Sequence, residues 1–288
     1  MPELPEVETI VGDLNKKIRG YQIISFWTDW RKTIKIPLAE FQKGILGKRI
    51  EKIKRRAKNI LFFLSNGKVM LVHLKMTGHL LIKNQKSKIK NQFFAERVNQ
   101  YIHHIWFLKK GHSQLSLEFS DLRKFGKIEL FDKKELADHR ELSKLGLEPL
   151  EKSFGLEDFK KILKKKPNWS IRDLLLDQRF IVGIGNIYVS EILFDAGIDP
   201  RKKVSSLIEK EKRKIYISMI KILAKAIELR GTSDSDYRDT FGAPGGFQKV
   251  LKVYGRTGEK CLRKNCKGVI IREKLKQRSS FRCPICQK

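Results

Sequence analysis

The sequence predicts an α+β protein of more than one domain, and three features of the chain lead to that prediction. A helical pattern follows the N-terminus, short strand-like segments fill residues from about 20 to 131, and helical patterns take over after Asp132. Four cysteines close the chain. With 288 residues, the chain is long enough for two domains with cores of their own and a small appendage.

The first predicted element is a helix with Pro5 at its first position. Apolar side chains then recur at helical spacing, at Val7, Ile10, Val11, Leu14 and Ile18. Pro2 follows the initiator methionine, and a small second residue is the usual condition for removing that methionine. An α-amino group titrates near about 7.7–8.0, so Pro2 would then offer a partly neutral amine beside Glu3. The alternative interpretation is an ordinary helix with acidic residues in its first turn.

Residues from about 20 to 131 are predicted to form a β-rich domain. Apolar segments of strand length recur, and Asn66-Gly67 between two of them is a tight-hairpin signal. These segments span residues 23–27, 60–64, 69–74, 101–108, 115–119 and 127–131. The polar stretch from Lys83 to Asn99 is predicted to be an exposed loop, with solvated surface favoured over a DNA contact.

After Asp132 the apolar residues follow a helical period. The predicted helices span residues 133–145, 156–166, 171–178, 187–196 and 207–229. A loop rich in Gly, Ser and Asp follows from Gly231 to Gly246, and the cysteines come after it. We therefore predict domains at residues 1–132, 133–246 and 247–288.

The charge of the chain points to a polyanionic partner. Lysine and arginine number 62 against 32 acids, which gives a formal charge of +30 and a pI near 10.0. Nucleic acid is the first candidate for that partner. A general compositional bias toward lysine over the whole chain is an alternative explanation for the positive charge. No signal-peptide pattern and no apolar run of ~18 residues is present, so we expect a soluble, intracellular protein.

The cysteines form two close pairs, Cys261 with Cys266 and Cys283 with Cys286. In an intracellular chain such pairs indicate a metal site before they indicate disulfides. Four thiolates at this spacing predict one closed, tetrahedral zinc site of structural type that holds a small hairpin together. Arg278 lies between the pairs, where its guanidinium could hold a phosphate or simply face solvent.

The stretch Val182-Gly183-Ile184-Gly185-Asn186 opens a predicted helix. It lacks the third glycine and the preceding strand of a dinucleotide-binding fingerprint, so that function is rejected. The glycines indicate a close approach of the backbone to another backbone or to a phosphate. A plain glycine turn followed by an Asn that starts a helix is the alternative.

The opening Pro2-Glu3-Leu4-Pro5-Glu6-Val7-Glu8-Thr9, the glycine turn and the cysteine module resemble the formamidopyrimidine-DNA glycosylase family. Its members are bacterial enzymes that remove oxidised purines from DNA, and the resemblance covers nearly the whole chain. It implies an N-terminal β-sandwich with a leading helix, a helix–two-turns–helix domain and a C-terminal zinc-finger hairpin. It also implies a monomer that binds damaged double-stranded DNA in the bacterial cytoplasm.

The resemblance implies a catalytic role for the N-terminus. Pro2 would attack C1′ of the damaged nucleotide to form a Schiff base, Glu3 would act as the acid in sugar-ring opening, and Glu6 would support the site. Successive β and δ eliminations would then leave a one-nucleotide gap. Lys58 matches the family lysine that holds a phosphate near the active site. The implied substrates are 8-oxoguanine and ring-opened formamidopyrimidines.

Other positions match the DNA-binding residues of the family. His73, Asn186 and Arg278 correspond to phosphate contacts, and the Gly231–Gly246 loop corresponds to the segment that covers the everted base. The remaining matches form a trio that fills the void left in the duplex, namely Met76, Arg123 and Phe125.

The sequence departs from the family pattern at three places. Leu122 stands where a proline is common, Arg172 stands where a lysine that contributes to lesion handling is usual, and the first cysteine pair is wider than two residues. Two other functions stay open. One is the related endonuclease VIII branch, which removes oxidised pyrimidines, and the other is a non-catalytic DNA-binding protein.

Overall fold

The computed structural model describes residues 1–84, 91–234 and 236–288. Residues 85–90 of the predicted 83–99 loop, and Ser235 of the Gly231–Gly246 loop, lie outside the described residues. The chain forms two compact units. The first unit contains residues 1–143 and 229–248, and the second contains residues 144–228 and 249–288.

The first unit combines a leading helix with two antiparallel sheets of four strands each. Helix α1 spans Leu4–Ile18 and α2 spans Leu38–Ile45. The strands are β1 (Gln22–Thr28), β2 (Ile50–Arg56), β3 (Asn59–Leu64), β4 (Lys68–His73), β5 (His79–Asn84), β6 (Ile102–Lys110), β7 (Ser113–Ser120) and β8 (Lys127–Asp132). Their order is β1-β6-β7-β5 in one sheet and β2-β3-β4-β8 in the other.

The two sheets of this unit share one hydrophobic core. Apolar side chains that alternate along the strands point inward, with the alternation interrupted by register shifts in β1 and β2, and both sheets and α1 contribute to one buried cluster. Ile60 and Phe62 of β3 illustrate the alternation in one sheet, and Trp106 and Leu108 of β6 illustrate it in the other. The predicted N-terminal β-sandwich with a leading helix is confirmed.

Three elements of the first unit were not predicted. Strand β2 carries only two apolar residues, Ile50 and Ile53, and it is a strand because it pairs with β3. Strand β5 and helix α2 were also missed. The predicted helix at 133–145 is wrong, because the chain forms only a 3₁₀ helix at Lys133–Leu136 followed by turns. This charged segment has little apolar surface to bury, with Leu142 its one buried hydrophobic residue among those described.

The second unit is helical and ends in a hairpin. Its helices are α3 (Leu156–Lys164), α4 (Ile171–Leu176), α5 (Asn186–Ala196) and α6 (Glu209–Glu228). Each agrees with a predicted helix apart from one or two residues at the ends. Strands β9 (Ile271–Leu275) and β10 (Arg278–Arg282) pair antiparallel, and the cysteines flank them. The predicted α+β class is confirmed.

Two findings bear on the organisation of the chain. Among the residues that the structure describes, no helix is both long and apolar enough to span a membrane. The domain boundaries at 132/133 and 246/247 stay a prediction, since compact units report packing whereas a domain is defined by independent folding.

Candidate active site and nucleic-acid interface

The N-terminus is locked at the start of α1. Glu3 is the N-cap residue, and its backbone N–H donates to Glu6 Oε2 over 2.7 Å, within a reciprocal capping box. Both acidic side chains are buried, with 3% of Glu3 and 1% of Glu6 exposed. Pro5 is the second helical residue rather than the first. The first turn therefore holds Pro2 next to a fixed, buried carboxyl group.

Glu6 also binds the Gly231–Gly246 loop. Its other carboxylate oxygen, Oε1, accepts the Thr232 N–H over 2.7 Å. Gly231 has a φ of +80°, and a Cβ added there would lie 2.7 Å from Glu6 Oε1. Only glycine fits this position, because both the left-handed backbone and the close approach exclude a side chain. Glu6 thus connects the turn that carries Pro2 to the loop.

Lys58 lies in the turn between β2 and β3, where it is 7% exposed. That turn is tied to α1 through Arg55, whose Nε donates to Glu8 Oε2 over 2.5 Å and whose Nη1 donates to the Ala57 carbonyl over 3.2 Å. Ala57 has a φ of 54°, which turns the chain sharply before Lys58. The structure therefore brings the turn of Lys58 to the helix that begins at the N-terminal site.

His73 ends β4 and pairs in register with Asn59, next to Lys58. Its Nδ1 accepts the Lys75 N–H over 2.9 Å, so the neutral ring carries its proton on Nε2. Burial, together with the nearby charges of Lys75, Lys58 and Lys127, lowers the pKa of His73 to about 3. The ring is neutral at physiological pH and can offer one N–H donor, as a phosphate contact requires.

The predicted void-filling trio lies on two loops that meet. Met76 is 42% exposed and Phe125 is 54% exposed, so both present apolar surface to solvent. The Arg123 guanidinium lies 4.7 Å from the centre of the Phe125 ring. The Thr77 hydroxyl donates to Asp121 and accepts the Arg123 N–H over 3.1 Å. The two loops are therefore joined directly behind the three side chains.

The loop that carries Arg123 is rigid without the family proline. Asp121 Oδ2 accepts the Gly126 N–H over 2.7 Å, and the Asp121 carbonyl accepts the Lys124 N–H over 3.1 Å. The Lys124 ammonium also lies 4.5 Å from the centre of the Trp30 ring. Sequence reasoning did not single out Asp121, although an Asp that precedes a turn is a known signal for such bonds. Leu122 itself is exposed.

In the second unit, Asn186 is the first residue of α5. The turn before it is shaped by Gln178, which accepts the Gly183 N–H over 2.7 Å and donates to the Ile184 carbonyl over 2.9 Å. Gly183 has a φ of +84°, so a glycine is needed there. The Asn186 side chain lies at the positive end of the α5 dipole, which favours an anion.

Arg172 orients Asn186 and reaches the hairpin. Its side chain is 2% exposed, and its Nη2 donates to Asn186 Oδ1 over 3.1 Å and to the Ser279 carbonyl over 3.4 Å. Because a guanidinium can only donate, it must meet the Asn186 oxygen, which leaves the amide Nδ2 to donate outward. Burial lowers the pKa of Arg172, Asp173 raises it, and Arg278 lowers it.

A cleft of about 480 Å³ lies between α4 and the hairpin turn. Its charged lining residues are Arg172, Asp173, Asp177, Lys276 and Arg278. Lys276 pairs with Asp173 over 2.7 Å, while Arg278 is exposed at the start of β10. An anion of phosphate size in this cleft would offset the repulsion between the two guanidinium groups.

The four cysteines come together as predicted. All four are free thiols, and their sulfur atoms lie within 4.8 Å of one another. The closest pairs are Cys261 with Cys286 at 3.7 Å and Cys266 with Cys283 at 3.6 Å. A tetrahedral zinc site with Zn–S bonds of about 2.3 Å needs sulfur atoms roughly 3.8 Å apart, so the cluster could hold such an ion.

Two residues make this geometry possible. A Cβ on Gly268 would lie 2.4 Å from Cys283 Sγ, so only glycine fits beside the sulfur. Asn265 adopts a φ of 61° and closes the wider first pair just before Cys266. The departure from the family spacing is therefore absorbed within one turn.

Glu191 is a residue that sequence reasoning missed. Its buried carboxylate accepts the N–H groups of Lys252, Val253 and Tyr254 over 2.9 to 3.2 Å. It lies on α5, the helix that begins at Asn186, and it anchors the chain entering the cysteine module. Burial raises its pKa, whereas the three backbone bonds lower it. An acid in the middle of a mostly apolar helix was the available signal.

Comparison with known proteins identifies the family. Residues 1–128 match the model of the formamidopyrimidine-DNA glycosylase N-terminal domain, and residues 145–237 match that of its H2TH domain. The chain is 41% identical over 289 residues to the formamidopyrimidine-DNA glycosylase of Carboxydothermus hydrogenoformans, with 100% of both chains covered. The chain belongs to the formamidopyrimidine-DNA glycosylase family. It is a DNA glycosylase that acts in DNA repair.

Other relatives agree with this assignment. The formamidopyrimidine-DNA glycosylase of Pelotomaculum thermopropionicum is 38% identical, with 100% of this chain and 99% of the relative covered. Lactococcus lactis Fpg in complex with DNA containing an abasic site shares the fold with a TM-score of 0.86 and 33% identity, over 99% of both chains. A Lactococcus lactis Fpg mutant in complex with Fapy-dG containing DNA matches equally well, over 100% of both chains.

Proposed function

We propose that this glycosylase excises oxidised purines from double-stranded DNA and then cleaves the strand at the abasic site. The observation that carries the proposal is the N-terminal site, where Pro2 precedes two buried, hydrogen-bonded carboxyl groups on one rigid helix turn. The solved relatives bound to abasic-site DNA and to Fapy-dG containing DNA support the choice of substrate.

The proposed chemistry starts from Pro2 after Met1 has been removed. The lone pair of the Pro2 nitrogen forms a bond to C1′ of the damaged nucleotide, and the nitrogen gives up its N–H proton. The base leaves with the electrons of the glycosidic bond and takes up a proton. Glu3 donates a proton to the ring oxygen O4′, the sugar opens, and the nitrogen is left in a Schiff base. Loss of a C2′ proton then expels the 3′ phosphate, and a second elimination expels the 5′ phosphate.

The proposed DNA contacts follow from the same geometry. Lys58 and His73 in the first unit, and Asn186 and Arg278 in the second, would hold backbone phosphates. Arg172 would keep Asn186 turned toward its phosphate. Met76, Arg123 and Phe125 would fill the void left by the everted nucleotide, which offsets part of the cost of unstacking. The net charge of +30 adds non-specific attraction to DNA.

We further propose that Cys261, Cys266, Cys283 and Cys286 hold one structural Zn²⁺. With four thiolate ligands the ion would have no open coordination position, so it would supply folding energy and no catalysis. The proposed domains are those of the sequence prediction, residues 1–132, 133–246 and 247–288. The protein would act as a monomer on DNA in the bacterial cytoplasm.

Borohydride trapping on a duplex that contains 8-oxoguanine tests the catalytic proposal. The protein with Met1 removed should become covalently attached to the DNA, because borohydride reduces a Schiff base to a stable amine. A protein with an N-terminal extension has an amide in place of the Pro2 amine, so it should not be trapped. Trapping of the extended protein at the normal rate would mean that a lysine is the nucleophile.

Glu3→Gln refines this test. The amide keeps the size of the side chain but cannot supply a proton, so excision of a damaged base should fall by about a hundredfold or more. Cleavage of a preformed abasic site should be spared better. A panel of duplexes with single lesions then separates the other functions. Fastest excision of oxidised pyrimidines would favour the endonuclease VIII branch, and binding without any cleavage would favour a non-catalytic protein.

A further inference from the structure

Arg230 occupies a conformation that normally belongs to glycine. Its φ is 61°, and Gly231 follows at +80°. A non-glycine residue is sterically disfavoured in this left-handed region. Arg230 lies immediately before the Gly231–Gly246 loop, and its side-chain contacts show what is gained.

The Arg230 guanidinium is held between two carboxylates from distant parts of the chain. Its Nη1 and Nη2 donate to both oxygens of Asp13 on α1, over 3.2 and 2.5 Å. Its Nε and Nη2 donate to Oδ2 of Asp239 in the loop, over 2.9 and 2.7 Å. Asp13 is 7% exposed and Asp239 is 2% exposed. Without the guanidinium, two buried carboxylates would face each other uncompensated.

The same two carboxylates, Asp13 and Asp239, also bind the turn at residues 239–243 of the loop. Asp239 Oδ1 accepts the N–H groups of Phe241 and Ala243, over 2.9 and 3.0 Å. Asp13 Oδ2 accepts the Thr240 hydroxyl over 2.8 Å. The turn at residues 239–243 is therefore tied to α1 through Asp13, both directly and through Arg230.

Helix α1 holds the loop at two points on one face. Glu6 binds the Thr232 N–H near the start of the loop, and Asp13, two helical turns later, binds Arg230 and Thr240. Residues seven apart on a helix share a face, and a helix of this kind is rigid. Because α1 begins beside Pro2, these two contacts fix the loop in register with the N-terminal site.

We propose that Arg230 is a positioning residue for recognition of the damaged base. Held by Asp13 and Asp239, it sets the Gly231–Gly246 loop relative to Pro2, so that the loop meets a base whose sugar is in reach of the amine. This inference rests on the proposed function, in which the loop covers the everted base. It assigns that alignment to a charged cluster of this chain, outside the catalytic residues.

Arg230→Gly is the sharpest variant, because glycine suits the backbone conformation and only the guanidinium is lost. Single-turnover excision of 8-oxoguanine from a duplex should fall on the order of tenfold to a hundredfold, since small misplacements near the reacting atoms have effects of that size. Cleavage of a preformed abasic site should change by less than about twofold, because that substrate has no base for the loop to meet.

Two further variants separate positioning from general damage. Arg230→Lys keeps the charge but cannot bridge both carboxylates with a fork, so it should show an intermediate loss in excision. Asp13→Asn should resemble Arg230→Gly, and the double variant should lose little more than either single variant. Arg19→Ala, an exposed arginine at the other end of α1, is the matched control and should leave both reactions unchanged.

Hydrogen exchange of the free protein provides a readout that does not depend on activity. The amides of residues 232–234, 236–243, 245 and 246 should exchange faster in Arg230→Gly than in the native protein, while the amides of β3 and β4 stay protected. Unchanged exchange in the loop would overturn the proposal, as would equal losses, or no loss, in the two cleavage reactions. If the native protein excises no damaged base, the proposed function fails, and the exchange result still decides whether Arg230 fixes the loop.

Discussion

At the scale of single residues, Arg172 shows how a departure from the family pattern is accommodated. A lysine is usual there by resemblance, and this chain places a buried guanidinium that reaches both the Asn186 side chain and the Ser279 carbonyl. Its Nη2 meets both of these acceptors while its Nη1 donates to Asp173 Oδ1. A lysine ammonium is a compact point charge and cannot reproduce this spread of donors. The arginine therefore links Asn186, at the start of α5, to the hairpin within the second unit.

We expect Arg172→Lys to weaken binding to a duplex that contains an abasic-site analogue by about tenfold, the value of one charged hydrogen bond. The Asn186 amide would lose its fixed orientation, and the hairpin would lose one of its contacts with α4. A fluorescence titration at constant salt measures the change. Arg201→Lys is the control, since Arg201 is half exposed and its guanidinium pairs with the acidic side chains of Asp199 and Glu273. Native affinity in Arg172→Lys would contradict this role.

At the scale of elements, the loops after β4 and β7 present an apolar surface. They expose large apolar side chains, and hydrogen bonds among Thr77, Asp121 and Gly126 hold them rigid. Phe119 of β7 packs against both glycines that flank the loops, Gly78 and Gly126, where an added Cβ would lie 2.5 to 2.8 Å from its ring. A rigid support suits side chains that must enter a base stack without collapsing.

Phe125→Ala should slow excision of a paired lesion by about tenfold or more, because unstacking costs a few kcal/mol that the ring helps to offset. Cleavage at a preformed abasic site needs less unstacking and should be affected much less. Leu122→Ala is the matched control from the same loop, since Leu122 is 45% exposed and lies outside the trio. Equal losses on both substrates would mean that Phe125 is merely structural.

The cysteine module is the second element whose role can be isolated. Cys283→Ser should release the metal and abolish DNA binding, while the two larger domains, which bury apolar side chains of their own, stay folded. Gly268→Ala should weaken metal binding as well, because its Cβ would crowd Cys283 Sγ. Elemental analysis and DNA titration measure both effects. A fresh native protein without zinc, or normal DNA affinity in Cys283→Ser, would refute the proposed zinc site.

At the scale of the whole molecule, buried histidines contribute to the loss of stability in acid. Burial lowers the pKa of His79 and of His104 to about 4, and that of His73 to about 3. The ordinary value is about 6.5, so the unfolded chain binds protons between about pH 6.5 and 4 that the native protein does not. The free energy of unfolding therefore falls as the pH drops through this window.

We expect the free energy of unfolding to decrease by about 1.4 kcal/mol per pH unit for each of these histidines, below about pH 6. His104→Phe should remove the contribution of one histidine to the dependence of the unfolding free energy on pH. Neither ring nitrogen of His104 has a hydrogen-bond partner among the described residues, and its ring stacks on Phe26 and Phe119. Denaturant unfolding at pH 5 and pH 7 measures the slope. A slope unchanged by His104→Phe would contradict the prediction.

The sequence by itself determined the features that depend on neighbouring residues. The helix after Pro2, the hairpin at Asn66-Gly67, most helices of the second unit and the four cysteines follow local periodicity or spacing, and the structure confirms them. Local patterns suffice there because helix hydrogen bonds, tight turns and closely spaced ligands involve residues near one another in the chain.

Only the tertiary structure decided the features that depend on distant contacts. Strand β2 is a strand because β3 lies beside it, and the charged 133–145 segment is not an α-helix because it has little apolar surface to bury. The contacts from Arg230 to Asp13 and from Arg172 to Ser279 join residues 217 and 107 positions apart. Neither periodicity nor spacing along the sequence predicts such pairs, because only folding brings these groups together.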